Sequence, residues 1–150
     1  MKKELSSELH NQLVQLTDAG NDLMRHGKYD EAHKKFSDAF RLLPEPKVEW
    51  EATAWLLASI GDILFLKKDF LRALRALEDA VRCPGGLGNA FIHLRLGQTA
   101  FELGDRERAA NELSRAYMGE GRKIFATEDP KYFHLVQKVL RPPEGHSELP

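Results

Sequence analysis

Apolar residues recur at spacings of three and four along most of the chain, and this is the period of an amphipathic helix. Alternation at every second residue, which is typical of a half-buried strand, is almost absent. Gly27, Pro44 and the stretches KKD, CPGGLG, GD and GEG interrupt the pattern, and turn-forming residues of this kind end helices. The sequence therefore predicts an all-α fold, with helices over about 5–23, 29–43, 48–66, 70–82, 89–103 and 106–118 and a shorter one at about 129–140.

Small residues repeat with a fixed register along these helices. One glycine and two alanines, separated by twelve and then seven residues, occur three times, as Gly20, Ala32, Ala39; Gly61, Ala73, Ala80; and Gly97, Ala109, Ala116. Small residues allow two antiparallel helices to approach closely. A bulky residue four positions after the first alanine, Phe36, Leu77 or Leu113, fills the space beside it. The pattern predicts three helical hairpins of the same construction.

This arrangement resembles the tetratricopeptide repeat (TPR), a 34-residue helix-turn-helix unit with large apolar, Gly, Ala and aromatic residues at set positions. The resemblance implies an α-solenoid of three such repeats at about 13–46, 54–87 and 90–123, within a single domain 1–141. The helix at 129–140 is expected to cap the solenoid, and residues 142–150 to form a flexible tail. Two features depart from the family pattern: His93 replaces a large apolar residue, and the periods are 41 and 36 residues.

In TPR proteins the first helix of each repeat lines a concave groove. Carried over position by position, the resemblance implies a partner-binding groove formed by Asn21, Met24, Arg25, Trp55, Asp62, Phe65, Phe91, Gln98, Phe101 and Glu102, with Val14, Thr17, Ala58, Leu66 and Leu94 at further groove positions. Large aromatics among polar neighbours are typical of interaction hot spots. The alternative is that these aromatics pack in the core. Because Asp62 and Glu102 are acidic, the groove is expected to favour a partner with basic or amide groups over a C-terminal carboxylate.

Length and charge narrow the possible functions. A chain of 150 residues suits one domain, and a net charge of -1 lacks the basic excess of general nucleic-acid binders. The N-terminal MKKELSSELHNQL has no apolar core of a signal peptide, and no run is long enough to span a bilayer. The single cysteine, Cys83, has no partner for a disulfide or zinc pattern. A cytoplasmic protein that binds neither membrane nor nucleic acid is expected.

The Gly-rich stretch CPGGLGNAF, residues 83–91, is the one motif that suggests chemistry. Glycine-rich backbone before a helix can bind phosphate, but phosphate loops follow a strand and carry the GxxxxGK[ST] or GxGxxG spacing, which is missing here. We interpret it as a repeat junction in which Pro84 ends one helix and Asn89 caps the next. The six histidines lack metal-ligand spacing, although His93 is expected to be partly buried. No catalytic residue, metal site or cofactor is predicted.

The sequence thus predicts a non-enzymatic module that binds a protein or peptide in the groove. AYMGEGRKIF followed by DPKYF is similar to small bacterial repeat proteins of polymorphic toxin systems, which implies an immunity protein that neutralises a toxin domain. An adaptor or co-chaperone scaffold is the alternative. A helical enzyme or small-ligand-binding domain that uses the loop at 84–89 is the alternative from another class.

Overall fold

The computed structural model describes residues 4–150, so residues 1–3 of the predicted domain lie outside it. In this range the chain is all-helical and has no strand, as the sequence predicts. The α-helices are α1 (Ser7–Arg25), α2 (Tyr29–Leu42), α3 (Glu51–Leu66), α4 (Phe70–Arg82), α5 (Ala90–Glu102), α6 (Arg106–Glu120) and α7 (Pro130–Val139). The third helix begins later than predicted, because Lys47–Glu49 forms a separate 3-10 turn before it. A second 3-10 turn, Arg122–Phe125, precedes α7.

The helices pack as three antiparallel pairs, α1 with α2, α3 with α4 and α5 with α6. Successive pairs stack through α2 against α3 and α4 against α5, and α3 also contacts α5 directly. Side-chain caps fix several helix starts, as expected: Asn89 accepts a hydrogen bond from Ile92 N–H, and Asp129 accepts one from Lys131 N–H ahead of Pro130. The result is a succession of three equivalent hairpins in which α1, α3 and α5 are the first helices.

The repeated glycines are the points of closest approach within each pair. A methyl group on Gly20 would lie 2.8 Å from the Phe36 ring, one on Gly61 2.6 Å from Leu77 Cγ, and one on Gly97 2.5 Å from Leu113 Cγ. The six repeated alanines of the second helices are completely buried. The predicted role of the glycine and alanine register in helix packing is therefore confirmed in all three pairs.

The corners within the pairs share one backbone conformation. Gly27, Lys68 and Gly104 all have positive φ, at 71°, 63° and 86°. The residue after each corner donates its N–H to a carbonyl five residues back, in the bonds Lys28 to Leu23, Asp69 to Leu64 and Asp105 to Ala100. This is the Schellman ending of a helix, for which glycine is the preferred residue. Lys68 adopts it despite its side chain.

The C-terminal part of the chain closes the solenoid. Phe133 of α7 stacks on Phe125 and Tyr117, with ring centroids 5.2 and 5.9 Å away. Leu149 is only 6% exposed within the same apolar cluster, and Tyr117 Oη donates a hydrogen bond to the Pro150 carbonyl at 2.8 Å. The end of the segment expected to be a flexible tail therefore packs against the apolar cluster of α6 and α7. The sequence did not predict this contact, because Leu149 is not part of a periodic apolar pattern.

We expect Gly97→Ala to destabilise the fold. The new methyl would overlap Leu113 Cγ and also lie 2.9 Å from the Leu113 backbone nitrogen, which cannot move aside. Overpacking costs about 1–3 kcal/mol, partly offset by about 1 kcal/mol of better helix propensity. Urea unfolding should show a lower free energy of unfolding. Gly119→Ala is the control, since its methyl would lie 3.2 Å from Ala90 Cβ and 3.9 Å from Ala90 Cα and would meet no closer atom. A Gly97→Ala variant as stable as the parent would contradict the account.

Lys68→Gly should have the opposite effect. A left-handed conformation costs a residue with a Cβ about 1 kcal/mol, so glycine at this corner should raise the free energy of unfolding by about 0.5–1 kcal/mol. Gly27→Ala is the reverse experiment at the equivalent corner, where no heavy atom lies within 4 Å of the added methyl. It should lower stability by a similar amount. Unchanged thermal midpoints in both variants would show that the corner conformation does not limit stability.

Candidate functional site

The repeat register arranges the side chains of the first helices in rows. Positions 14, 55 and 91 differ by the periods of 41 and 36, and so do positions 18, 59, 95 and 21, 62, 98. We call Val14, Trp55 and Phe91 the apolar row. We call Asp18, Ser59, Arg95, Asn21, Asp62 and Gln98 the polar rows. On each helix these residues follow one another at i, i+4 and i+7, so they share one side. Together they form the first-helix face.

All three side chains of the apolar row are exposed to solvent. Val14 is 41% exposed, Trp55 48% and Phe91 37%. Single exposed apolar residues are common on protein surfaces, but here an exposed apolar residue occupies the equivalent position of each of the three repeats. The predicted groove aromatics thus divide into two classes: Trp55 and Phe91 are accessible, whereas Phe65 and Phe101 are half-buried against the core.

Arg95 is the centre of the polar rows and is only 8% exposed. Its Nε donates to Asp62 Oδ1 at 2.7 Å, and its Nη1 donates to Gln98 Oε1 at 2.6 Å and to Glu128 Oε1 at 2.5 Å. The guanidinium carbon lies 5.2 Å from the Phe65 ring centroid and 5.0 Å from that of Phe91. Hydrogen bonds and aromatic faces therefore satisfy the buried charge.

In this cluster, burial and the hydrogen-bonded, charged partners shift the pKa values in opposite directions. Burial disfavours the charge on Arg95, but Asp62 and then Glu128 outweigh it and raise the pKa of the guanidinium. Burial likewise opposes the charge on Glu128, yet hydrogen bonds from Gln98 and Arg95 lower the pKa of its carboxyl below the ordinary value of 4.5. Both groups are therefore charged near neutral pH.

The C-terminal segment covers the part of the first-helix face that α5 contributes. Gln98 is fully buried, and its Nε2 donates to Glu128 Oε1 at 2.7 Å. Glu102 Oε1 accepts hydrogen bonds from Tyr132 Oη and Lys131 Nζ, both at 2.6 Å, and these bonds lower the pKa of the carboxyl against the effect of burial. The ring of Tyr132 packs edge-on against Phe101 at 5.3 Å. Gln98, Phe101 and Glu102 are three of the residues expected to line the groove, and in the structure α7 and the segment before it contact all three.

The α1 and α3 parts of the face remain open. Asn21 is exposed, and so is Arg25, whose Nη2 lies 3.2 Å from Asp22 Oδ1. Met24 is half-buried against the core cluster of the first pair. Asp62 is turned toward Arg95, with 18% of its side chain exposed. Of the predicted site residues, Asn21, Arg25, Trp55 and Phe91 are exposed, whereas Asp62 is half-buried.

Sequence reasoning missed Arg95 and Glu128. Arg95 follows Phe91 by four residues and precedes Gln98 by three, so the helical period alone could have placed it on the same side. Glu128 carries no local signal, since it bonds across 33 residues to Arg95 from the segment before α7. Only the three-dimensional fold brings it there.

The Gly-rich loop is used internally. Gly88 N–H donates to His93 Nε2 at 3.0 Å, and His93 Nδ1 lies 2.6 Å from Glu112 Oε2, so the imidazole links the loop to α6. His93 is 3% exposed, more deeply buried than expected. A side chain on Gly86 would collide with the Ala80 carbonyl oxygen at 1.9 Å. The loop follows helix α4 rather than a strand, in agreement with its interpretation as a repeat junction.

No group of three His, Cys, Asp or Glu side chains within residues 4–150 could hold a metal ion. Within the same residues, no helix is long and apolar enough to cross a membrane.

Comparison with known proteins identifies the fold. No protein-family model matches the sequence, and no curated protein matches it. Among solved structures, the first TPR domain of Spaghetti (RPAP3), bound to an HSP90 peptide, is 21% identical with a TM-score of 0.67 over 86% of this chain and 94% of that one. The secretion chaperone SycD of Yersinia enterocolitica, bound to a YopD peptide, is 16% identical with a TM-score of 0.67 over 91% and 95%. PcrH from Pseudomonas aeruginosa is 19% identical with a TM-score of 0.60 over 92% and 91%.

These matches extend over most of this chain and most of each matched chain. The predicted three-repeat α-solenoid with a C-terminal helix is therefore confirmed as a TPR-type fold. Identities of this size show the fold alone.

Glu128→Gln tests the charge network of Arg95. A carboxyl whose pKa is lowered in the folded state stabilises the fold above its unfolded pKa, and this contribution is lost as the pH falls through the folded value. The parent should be more stable than the variant at pH 7, and the difference should shrink below about pH 4.5, the ordinary value. Urea unfolding from pH 7 to pH 3 measures it, with Glu107→Gln on α6 as an exposed control. A difference that is independent of pH would contradict the assignment.

Proposed function

We propose that this protein is a non-enzymatic interaction module that binds a protein or peptide segment on the first-helix face, with the apolar row as its anchor. The observation that carries the proposal is the joint exposure of Val14, Trp55 and Phe91 at equivalent positions of the three repeats. Aromatic anchors surrounded by polar groups are the usual centres of binding energy in protein interfaces.

Two of the solved structures with this fold support the proposal. The Spaghetti (RPAP3) domain was solved with an HSP90 peptide, and SycD with a peptide of the translocator YopD. Peptide binding is thus compatible with this type of solenoid at the size of this chain. Of the predicted groove residues, we assign the contact with the partner to Asn21, Arg25, Trp55, Asp62 and Phe91. Met24 and Phe65 are half-buried and pack against the core beneath these residues.

The binding role is preferred to that of an enzyme or small-ligand-binding domain because of how the Gly-rich loop is used. A phosphate site at 84–89 would need free backbone N–H groups, and Gly88 N–H is already bonded to His93. The Arg95 cluster also has its charges paired within the chain, which is typical of a structural ion network.

Neutralisation of a toxin and adaptor or co-chaperone function are two narrower versions of this role. Both need a complementary surface and no catalytic group, so both would use the first-helix face. The similarity of AYMGEGRKIF and DPKYF to small proteins of toxin systems is the feature that favours neutralisation. The toxin partner and the cytoplasmic location stay predictions from the sequence.

Trp55→Ala is the direct test of the surface. Truncation of a central aromatic anchor costs about 2 kcal/mol or more, which is about a thirtyfold loss of affinity. Because the Trp55 side chain is half exposed, its removal should leave the thermal midpoint of the free protein nearly unchanged. Leu71→Ala, at a 64% exposed position on the second helix α4, is the matched control.

The tagged full-length protein and both variants would be used to recover partners from cells that contain it natively, and the affinity of the purified partner would then be measured by calorimetry. The parent and Leu71→Ala should bind equally, and Trp55→Ala should not. A single toxin-like partner supports neutralisation, and a broad set supports an adaptor or chaperone. Full affinity of Trp55→Ala would show that the apolar row is not the binding site.

A further inference from the structure

We infer that the segment bound on the first-helix face carries a basic side chain next to its apolar ones, and that Asp18 and Asp62 receive this cation. The inference rests on the proposed function and adds the chemistry of the partner to it. It follows from how charge is distributed in the polar rows.

The polar rows hold more negative than positive charge. Asp18 and Asp62 are the carboxylates of these rows and Arg95 is their guanidinium, while Glu128, from the segment before α7, adds a third carboxylate that bonds to Arg95. Arg25, one row further along α1, is already paired with Asp22. A cationic side chain would relieve this excess, whereas an acidic one would add to it.

Both aspartates have capacity left for a new donor. Asp62 accepts the Arg95 bond through Oδ1, and no residue within 4–150 donates to its Oδ2. Asp18 is exposed, and within the same range its carboxylate has neither a hydrogen bond nor an ion pair. An ionised carboxylate can accept several hydrogen bonds, so each can bind an ammonium or guanidinium group without losing an existing bond.

The aspartates are also well placed relative to the apolar row. Asp18 follows Val14 by four residues, and Asp62 follows Trp55 by seven, which is about 6 Å and 10 Å along the respective helices. A bound segment in extended conformation advances about 3.3 Å per residue, so a lysine or arginine two or three residues from the one that contacts Trp55 can reach these carboxylates. The same segment can therefore use both features together.

Arg95 does not offer a competing site for an acidic partner. Arg95 is 8% exposed as a residue, and its guanidinium is bonded to two carboxylates and flanked by the rings of Phe65 and Phe91. An incoming carboxylate would have to displace Glu128 or Asp62 and approach the remaining negative charge. The described arrangement therefore selects for a basic group.

Selection from a phage-displayed library of random dodecapeptides tests this inference on the intact chain. The immobilised parent and Trp55→Ala would be panned in parallel, and peptides that depend on Trp55 would be sequenced. We expect the selected peptides to carry Lys or Arg within four positions of an apolar or aromatic residue. This arrangement should be at least about twice as frequent in them as in the unselected library. The affinity of the strongest peptide should fall as NaCl is raised from about 50 to 300 mM.

Charge variants of the protein then assign the effect to the aspartates. The Asp18→Asn, Asp62→Asn double variant should bind the strongest peptide about tenfold more weakly, since two partly exposed ion pairs are removed. Asp18→Asn alone, at an exposed position, should weaken binding of this peptide about threefold. This single variant provides the test if the double variant does not fold. Glu107→Gln on α6 is the control and should bind as the parent does.

The outcomes separate this inference from the proposed function. Peptides that depend on Trp55 but are neutral or acidic, or that bind the aspartate variants unchanged, would overturn the basic partner and leave the apolar row in place. A library that gives no Trp55-dependent peptide would contradict the proposed function and this inference with it.

Discussion

The close approach of a glycine on each first helix to a bulky side chain on the second is the constraint on which the rest of the structure depends. At Gly20, Gly61 and Gly97 there is no room for a methyl group, so each hairpin can pack only in this register. Because the three contacts are equivalent, the first helices present equivalent positions on the same side. The apolar and polar rows are a consequence of this repeated contact.

The C-terminal segment changes what the solenoid offers to a partner. Glu128 bonds to Arg95 and Gln98, and Tyr132 bonds to Glu102, so the α5 part of the face is largely occupied from within the chain. The open surface is concentrated on α1 and α3 and ends at Phe91. A buried ion network of this kind is well suited to fixing the position of the covering segment. If one partner is removed, the other charge stays buried without compensation, which is energetically unfavourable.

The helices, their pairing and the repeat contacts could be predicted because they depend on local periodicity and on small residues at fixed spacing. The fourth helix was predicted at its observed bounds, and the caps at Asn89 and Asp129 follow from local rules. The groove could be predicted only in part. Gln98, Phe101 and Glu102 occupy groove positions, but contacts from residues more than 25 positions away cover them, and no short-range pattern encodes such contacts. The anchoring of Leu149 escaped prediction for the same reason.

The most direct measurement of the central claim uses the two tryptophans of the chain. Trp50 donates its indole N–H to the Pro44 carbonyl at 2.8 Å, whereas Trp55 lies exposed in the apolar row. Each gives one indole signal in a nitrogen–proton correlation spectrum, assigned with Trp55→Phe. On titration with the purified partner, the account predicts a large change of the Trp55 signal and little change of the Trp50 signal. A partner that saturates the protein and leaves the Trp55 signal unmoved would contradict binding on the first-helix face.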